Sequence, residues 1–462
     1  MIYYDISELY LLSFGRLKFY GIARVVAEIA CDMHRLAPDT IFVVYDESRR
    51  TFLRITPSFG SAGDNGLIST GLPANFIPKP LRPHKSTRKL AGRLMASVRN
   101  AITRTVNNLK HPALPEGVER VEIKDGVLFS ASRPQLLAQM IRYLSKTHSS
   151  VRLHALLHDA IPLHEFEGSP SVSAQDFRHN TSLVISFAKQ IIANSRFTAL
   201  ELQRFSDAGL LPPIRQMQVV PLAHETRSGT STSPAVPIPD RPYIVGVGVT
   251  LGRKNLEVIL RAQEILMARG EQPPLMIYGG AIRRSMVRAL QSGKWASVHE
   301  HVQLIESPSQ VDLNRLVKHA TAAVVPSKLE GWGLPVGEAL WLATPVVVAN
   351  SSSLPEVGGD LAIYFDAESP EELAEILSRL MKDSAYRRKV KDRIIERHHT
   401  LRTWSNVAYD LLTALGADVL EPPGRPVDTA LPFSDWFELD GIPDAQRQPQ
   451  RAHSNFGSQS RS

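Results

Sequence analysis

The chain has 462 residues, 43% apolar and 21% charged, the proportions of a soluble globular protein of two or more domains, which excludes a fully disordered, collagen-like or coiled-coil chain. The formal net charge is +7, but nine basic residues (Lys79, Arg82, Lys85, Arg88, Lys89, Arg93, Arg99, Arg104, Lys110) and no acidic one fall within 65–115. The rest of the chain is near neutral, so a chain-wide nucleic-acid footprint is disfavoured and a local anionic partner stays open.

At the start of the chain, Asp5, Glu8, Arg16, Lys18, Arg24 and Glu28 interrupt an apolar stretch, against a signal peptide. No run of about 18 apolar residues follows, against a transmembrane helix. Cys31 is the one cysteine, which allows neither an intrachain disulfide nor a cysteine zinc site and fits a cytoplasmic location. Strands are predicted at 1–6, 41–45, 127–130, 151–157, 190–194 and 217–222. Between them, Leu90, Leu94, Val98, Ile102, Val106 and Leu109 form a helical stripe with Arg88, Lys89, Arg93, Arg99 and Arg104 around it. Two readings compete for 85–110: a helix docked on the N-terminal domain, or an interfacial helix on an anionic bilayer at the inner face of the plasma membrane.

Residues 223–241 are polar and rich in Ser, Thr, Gly and Pro, as in a linker. Beyond them, short Val- and Ile-rich runs at 243–249, 275–278, 302–305, 322–326, 345–349 and 362–365 read as strands buried on both faces of a parallel sheet. Helical patterns at 254–268, 311–320, 335–343 and 370–382 alternate with them, which predicts a doubly wound α/β domain. The expected organisation is an N-terminal domain at 1–222 with a basic insertion at 65–115, a linker at 223–241, a second domain at 242–403, a crossover helix at 404–418 and a disordered tail at 419–462. Two such domains face each other across a cleft, where ligands meet the carboxyl ends of the strands.

The most informative stretch is 324–338, VVPSKLEGWGLPVGE. It runs from a buried strand through a loop into a helix with Pro335 in its first turn. Gly331 and Gly333 allow close approach of a ligand to the backbone, and free amides at the helix start favour an anion such as a diphosphate. Glu330 on the loop can accept hydrogen bonds from sugar hydroxyls, and Glu338 on the helix can hold a ribose diol. Either glutamate alone would read as a solvated helix-end acid. The pair, with both glycines and Pro335, favours a site.

This stretch resembles the E-x7-E signature of retaining nucleotide-sugar glycosyltransferases of family 4, which have the GT-B fold. The surrounding segments Gly248-Val249-Thr250-Leu251-Gly252-Arg253-Lys254-Asn255-Leu256, Gly21-Ile22-Ala23-Arg24, Leu157-His158-Asp159-Ala160-Ile161-Pro162 and Leu354-Pro355-Glu356-Val357-Gly358-Gly359-Asp360 resemble other elements of that family. The likeness is dense over 243–366, scattered over 1–222, and fails over 50–120 and 420–462. It implies that Glu338 holds the donor ribose and that Glu330 contacts the donor sugar. Gly331, Trp332, Gly333 and Leu334 would surround sugar and phosphate. Lys254 and Arg253 would neutralise the diphosphate, Lys254 as a point charge and Arg253 as a fork. His158 would reach the sugar from across the cleft, and Gly21 and Gly248 would let loops approach the donor. Glu330, His158 and Lys254 are thus the expected catalytic residues. Two departures stand out: Val249 where the family often has arginine, and Trp332 where it usually has phenylalanine. Asp159 reads as structural, and His84, His398 and His399 as exposed chance occurrences.

The resemblance implies a retaining hexosyltransferase that uses no metal and no cofactor. The nucleotide-sugar is its substrate. The R-K-N form of the lysine loop resembles bacterial mannosyltransferases of polysaccharide assembly, which points to GDP-mannose as donor and a lipid-linked or saccharide acceptor, with UDP-glucose and dTDP-rhamnose as alternatives. Two rival readings are a catalytically silent GT-B binding protein and a nucleic-acid binder using 79–110. The second lacks aromatics interleaved with its basic residues.

Overall fold

A computed structural model describes residues 1–12, 21–60, 67–72, 76, 90–110, 113–227, 236–248, 250–282 and 284–420. The N-terminal half contains, in order, β1 (Ile2–Asp5), α1 (Ser7–Leu12), α2 (Ile22–Leu36), β2 (Ile41–Asp46), β3 (Thr51–Arg54), β4 (Ser58–Phe59), β5 (Ile68–Ser69), α3 (Leu90–Lys110), β6 (Glu119–Val121), β7 (Val127–Ser130), α4 (Pro134–Leu144), β8 (Arg152–Leu157), α5 (Val172–Phe187), β9 (Gln190–Ala193), α6 (Arg196–Asp207) and β10 (Met217–Val219). Its main sheet runs β10-β9-β8-β7-β1-β2-β3-β6. The strands from β10 to β2 are parallel, with Tyr3 opposite Ile41 on one side and Leu128 on the other. Runs such as VLFS in β7 are buried throughout, as a strand covered on both faces requires.

The C-terminal half contains β11 (Tyr243–Val247), α7 (Leu256–Ala268), β12 (Leu275–Gly280), α8 (Arg284–Gln291), β13 (Val302–Glu306), α9 (Gln310–His319), β14 (Ala322–Val325), α10 (Leu334–Trp341), β15 (Val346–Ala349), α11 (Leu354–Gly358), β16 (Ile363–Phe365), α12 (Pro370–Lys382), α13 (Ser384–Glu396) and α14 (Trp404–Ala414). Its sheet is wholly parallel in the order β13-β12-β11-β14-β15-β16. The winding reverses between β11 and β14, which opens a crevice at their carboxyl ends.

Several details differ from the sequence reading. β3 and β6 extend the first sheet antiparallel; with four and three residues and a largely exposed ERV in β6, they lack the apolar run that marks a buried strand. Residues 223–227, expected as linker, are packed: the amides of His224 and Glu225 both donate to the Arg402 carbonyl, at 2.9 and 3.2 Å. Residues 228–235, Val249, His84 and the tail from 421 onward lie outside the described residues. His398, expected to be exposed, packs its ring against Trp341 at 4.5 Å and hydrogen-bonds the Trp341 carbonyl at 3.1 Å. Lastly, α14 packs against α2 of the first domain. Trp404 is fully buried, its indole N–H donating to the Glu225 carbonyl at 3.0 Å, and Thr403 with Asn406 forms a capping box at the helix start. No helix among the described residues is long and apolar enough to cross a membrane.

Candidate active site

The crevice of the C-terminal sheet is closed by the loop between β14 and α10. Gly333 caps α10 with φ at 108°, in the region that favours glycine, and a Cβ there would lie 2.6 Å from Leu354 Cδ2. Ser353, between β15 and α11, donates to the carbonyls of Glu330 at 3.0 Å and Trp332 at 2.8 Å, and the Glu330 amide donates to Ser352 Oγ at 3.0 Å. These bonds fix the loop from beneath and leave the Glu330 carboxylate to point elsewhere.

That carboxylate meets the cations expected to serve a diphosphate. Lys254 Nζ pairs directly with Glu330, and Arg253 Nη1 approaches it at 3.5 Å. Arg253 also donates to the Leu329 carbonyl, and its own carbonyl accepts from the Lys328 amide at 2.9 Å. Gly248 sits nearby in sequence at the end of β11 with φ at 63°, its amide bonded to the Gly279 carbonyl at 3.0 Å. The structure therefore brings Glu330, Lys254 and Arg253 into one cluster.

Gly331 touches the opposite domain. A Cβ on it would overlap the His158 carbonyl oxygen and come within 2.9 Å of Asp159 Cβ, and its own carbonyl accepts from Thr198 Oγ1 at 3.1 Å. His158 lies just past the carboxyl end of β8, its Nε2 bonded to the Ala131 carbonyl at 2.6 Å. Burial pushes its pKa down, so the ring is neutral and Nε2 carries the proton donated to that carbonyl. Asp159 accepts from the Ile161 amide at 3.1 Å.

Glu338 forms a separate cluster. It is buried one turn into α10 and ion-pairs with Arg24 of α2. Arg24 also donates to Gln310 Oε1 at 3.1 Å and Thr226 Oγ1 at 3.0 Å. Burial raises the Glu338 pKa, and Arg24 opposes that rise. Arg24 thus pairs with the carboxylate that the resemblance assigns to the donor ribose. Gly21, which starts α2 with φ at 55°, has open space where a Cβ would be. Trp332, expected beside the donor, is buried edge-on to His224 at 6.3 Å, and its indole N–H finds no acceptor among the described residues. Leu334 is the first residue of α10 and half-buried.

Nothing in the sequence marks the partner of Arg24, nor a second clamp across the cleft. The Glu356 carboxylate on α11 accepts the backbone amides of Arg196 at 2.8 Å and Phe197 at 2.6 Å. These are orphan donors of the first turn of α6, where a negative charge also meets the positive end of the helix. Burial pushes Glu356 up to about 7 despite both bonds. Its position in Leu354-Pro355-Glu356 was a signal; the partner, 160 positions away, was not.

Residues 231–397 match the family model described as "Glycosyl transferases group 1". The chain is 33% identical over 150 residues to O-antigen chain mannosyltransferase B of Escherichia coli, covering 31% of this chain and 38% of that protein. It is 27% identical over 267 residues to D-inositol 3-phosphate glycosyltransferase of Salinispora tropica, covering 54% and 55%. The chain thus matches from about two-fifths to about half the length of these relatives. Among solved structures, sucrose-phosphate synthase from Thermosynechococcus elongatus superposes with a TM-score of 0.57 at 15% identity, over 89% of this chain and 97% of that one. Anabaena HepE in complex with UDP-glucose superposes with a TM-score of 0.53 at 14% identity, over 90% and 99%. Two α/β domains with parallel sheets, superposed along nearly their whole length on these proteins, give the chain the GT-B fold.

Proposed function

We propose that the chain is a retaining glycosyltransferase that moves a hexose from a nucleoside diphosphate donor to a lipid-linked or saccharide acceptor in the building of a polysaccharide. The observation that carries this reading is the cluster of Glu330, Lys254 and Arg253 beside the start of α10. Two cations and a helix N-terminus are the means of stabilising a leaving diphosphate. The pairing seen with Glu330 offsets one of these two positive charges. When a diphosphate takes them, the carboxylate is released to accept hydrogen bonds from sugar hydroxyls. Glu338 takes the ribose diol in exchange for Arg24. His158, neutral, faces the sugar from the other domain. No side chain forms a covalent link with the sugar in this scheme, and the leaving phosphate takes the acceptor proton. No metal or cofactor is invoked.

The donor we propose is GDP-mannose, supported by the mannosyltransferase named among the relatives. UDP-glucose is the alternative, supported by the ligand of HepE, and dTDP-rhamnose comes after it. A cytoplasmic location follows from a cytosolic donor. The test is calorimetric titration with GDP-mannose, UDP-glucose, UDP-N-acetylglucosamine and dTDP-rhamnose, with Glu330→Gln in parallel. One donor should saturate the protein and bind the variant at least ~tenfold more weakly. Folded protein that binds none of the four overturns the donor assignment. Binding without turnover on any glycan acceptor favours the silent GT-B reading. An inverted anomeric configuration in the product would exclude retention.

A further inference from the structure

Four residues of the stripe that the sequence places on α3, Leu94, Val98, Ile102 and Leu109, do not face the protein, while Val106 is half-buried. Leu94, Met95, Val98, Ile102 and Leu109 are 60–74% exposed. They make up half of the large apolar side chains exposed among the described residues. At 3.6 residues per turn these five fall within an arc of roughly 100°. The opposite side of the helix is the one that docks. Ala96 and Asn107 are buried there; Asn107 Nδ2 donates to Ser48 Oγ at 2.9 Å, and Arg104 pairs with Glu47 at 3.4 Å. The helix is therefore held to the first domain by its polar face and presents its apolar face outward. A docked amphipathic helix would do the reverse.

We propose that the outward face of α3 is a docking surface for an anionic lipid bilayer. Charge selects this occupant over a second copy of the chain. Arg99 and Lys110 are exposed beside the ridge, and the chain from 65 to 115 holds nine basic residues and no acidic one. Pairing two such helices would set like charges against each other with no acid to compensate. An anionic headgroup layer complements the charge, and the acyl boundary beneath it accepts the ridge. At 1.5 Å per residue the helix is roughly 31 Å long, and the ridge runs along most of it, as suits a helix lying in the plane of the interface. The five side chains insert while the polar face keeps its bonds to Glu47 and Ser48, so the first domain sits against the bilayer. This deepens the proposed function by naming the surface on which a lipid-linked acceptor would be met. It rests on the helix alone and not on the donor site.

The test is co-sedimentation of the full chain with vesicles of phosphatidylcholine, and of phosphatidylcholine with roughly one-third phosphatidylglycerol, at low and high salt. The comparison is the triple variant Val98→Ser, Ile102→Ser, Leu109→Ser, at exposed sites where substitutions usually change stability little. A separate variant, Ile102→Trp, supplies an emission signal for insertion. Wild type should partition into the anionic vesicles at least ~tenfold better than into the neutral ones. The triple variant should lose at least ~tenfold of that partition. The extra emission of Ile102→Trp over wild type should shift to the blue with anionic vesicles. Absence of partition overturns the proposal. So does partition that salt abolishes and the triple variant retains, which assigns it to charge elsewhere. Ridge-dependent self-association in sedimentation velocity without vesicle binding assigns the face to a second copy instead. Donor titration by calorimetry is independent of all these outcomes, so failure here and failure of the transferase reading are told apart.

Discussion

Glu356 ties the two domains together and does so as a carboxylate that burial holds at a pKa of about 7. The unfolded chain releases the same proton near 4.5. The folded protein therefore holds more protons than the unfolded chain between these values, and its stability falls as pH rises through that window. The separation corresponds to about 3 kcal/mol in full, most of which is lost between pH 5 and pH 8. Glu356→Gln does not titrate. It keeps one acceptor for the amides of Arg196 and Phe197 and loses the other, so it starts less stable at acid pH. The gap should narrow, or reverse, by roughly 2–3 kcal/mol as pH rises from 5 to 8. Urea unfolding of both proteins across this range, followed by fluorescence and circular dichroism, measures it. Glu28, pushed up to about 7 by burial, and His224, pushed down to about 4, titrate in both proteins and cancel in the difference. Parallel pH profiles for the two proteins would refute the argument, because they would mean that Glu356 is solvated or ionises normally in the folded state.

Arg24→Leu leaves Glu338 buried without its partner and should cost roughly 3–5 kcal/mol near neutral pH; the double variant Arg24→Leu, Glu338→Leu should recover part of it, as chemical unfolding will show. Lys254→Ala removes one of the two cations on Glu330 and should weaken donor binding by about 1.5–3 kcal/mol in calorimetry, with the melting temperature unchanged. Gly331→Ala sets a methyl against the His158 carbonyl. The domains can no longer close over the donor, so kcat should fall about a hundredfold while donor affinity changes little. Turnover in excess EDTA should equal turnover without it.

The strands of both sheets were readable because a strand buried on two faces is apolar without interruption, as in β7 and β15. The short edge strands β3 and β6 carry no such run. At the site, Glu330 and Lys254 meet because each follows a strand of one parallel sheet, β14 and β11, which lie side by side. Arg24 with Glu338, Thr198 with Gly331, and Glu356 with the start of α6 could not be read in the same way. Each joins the two domains over more than 130 positions. Periodicity reports which face of an element is buried and says nothing of the partner across a domain boundary. The α3 stripe shows the same limit: the pattern marks an apolar face, while its direction depends on where the polar face finds Ser48 and Glu47.

The packing of α14 on α2 sets an order on synthesis. At roughly 5–20 residues per second, the ribosome needs roughly 20–80 s to go from Leu36 to Ala414. Throughout that time the first domain lacks the helix that covers α2. The apolar residues of α14, with Trp404 and Val407 fully buried in the finished protein, belong to the last described helix to arrive. The flank of α2 in the N-terminal domain is therefore covered by α14, a helix that follows the second domain in sequence. A chimera that exchanges donor domains would have to retain 402–415 with its native α2, and chaperones would find the exposed flank of α2 on every nascent chain.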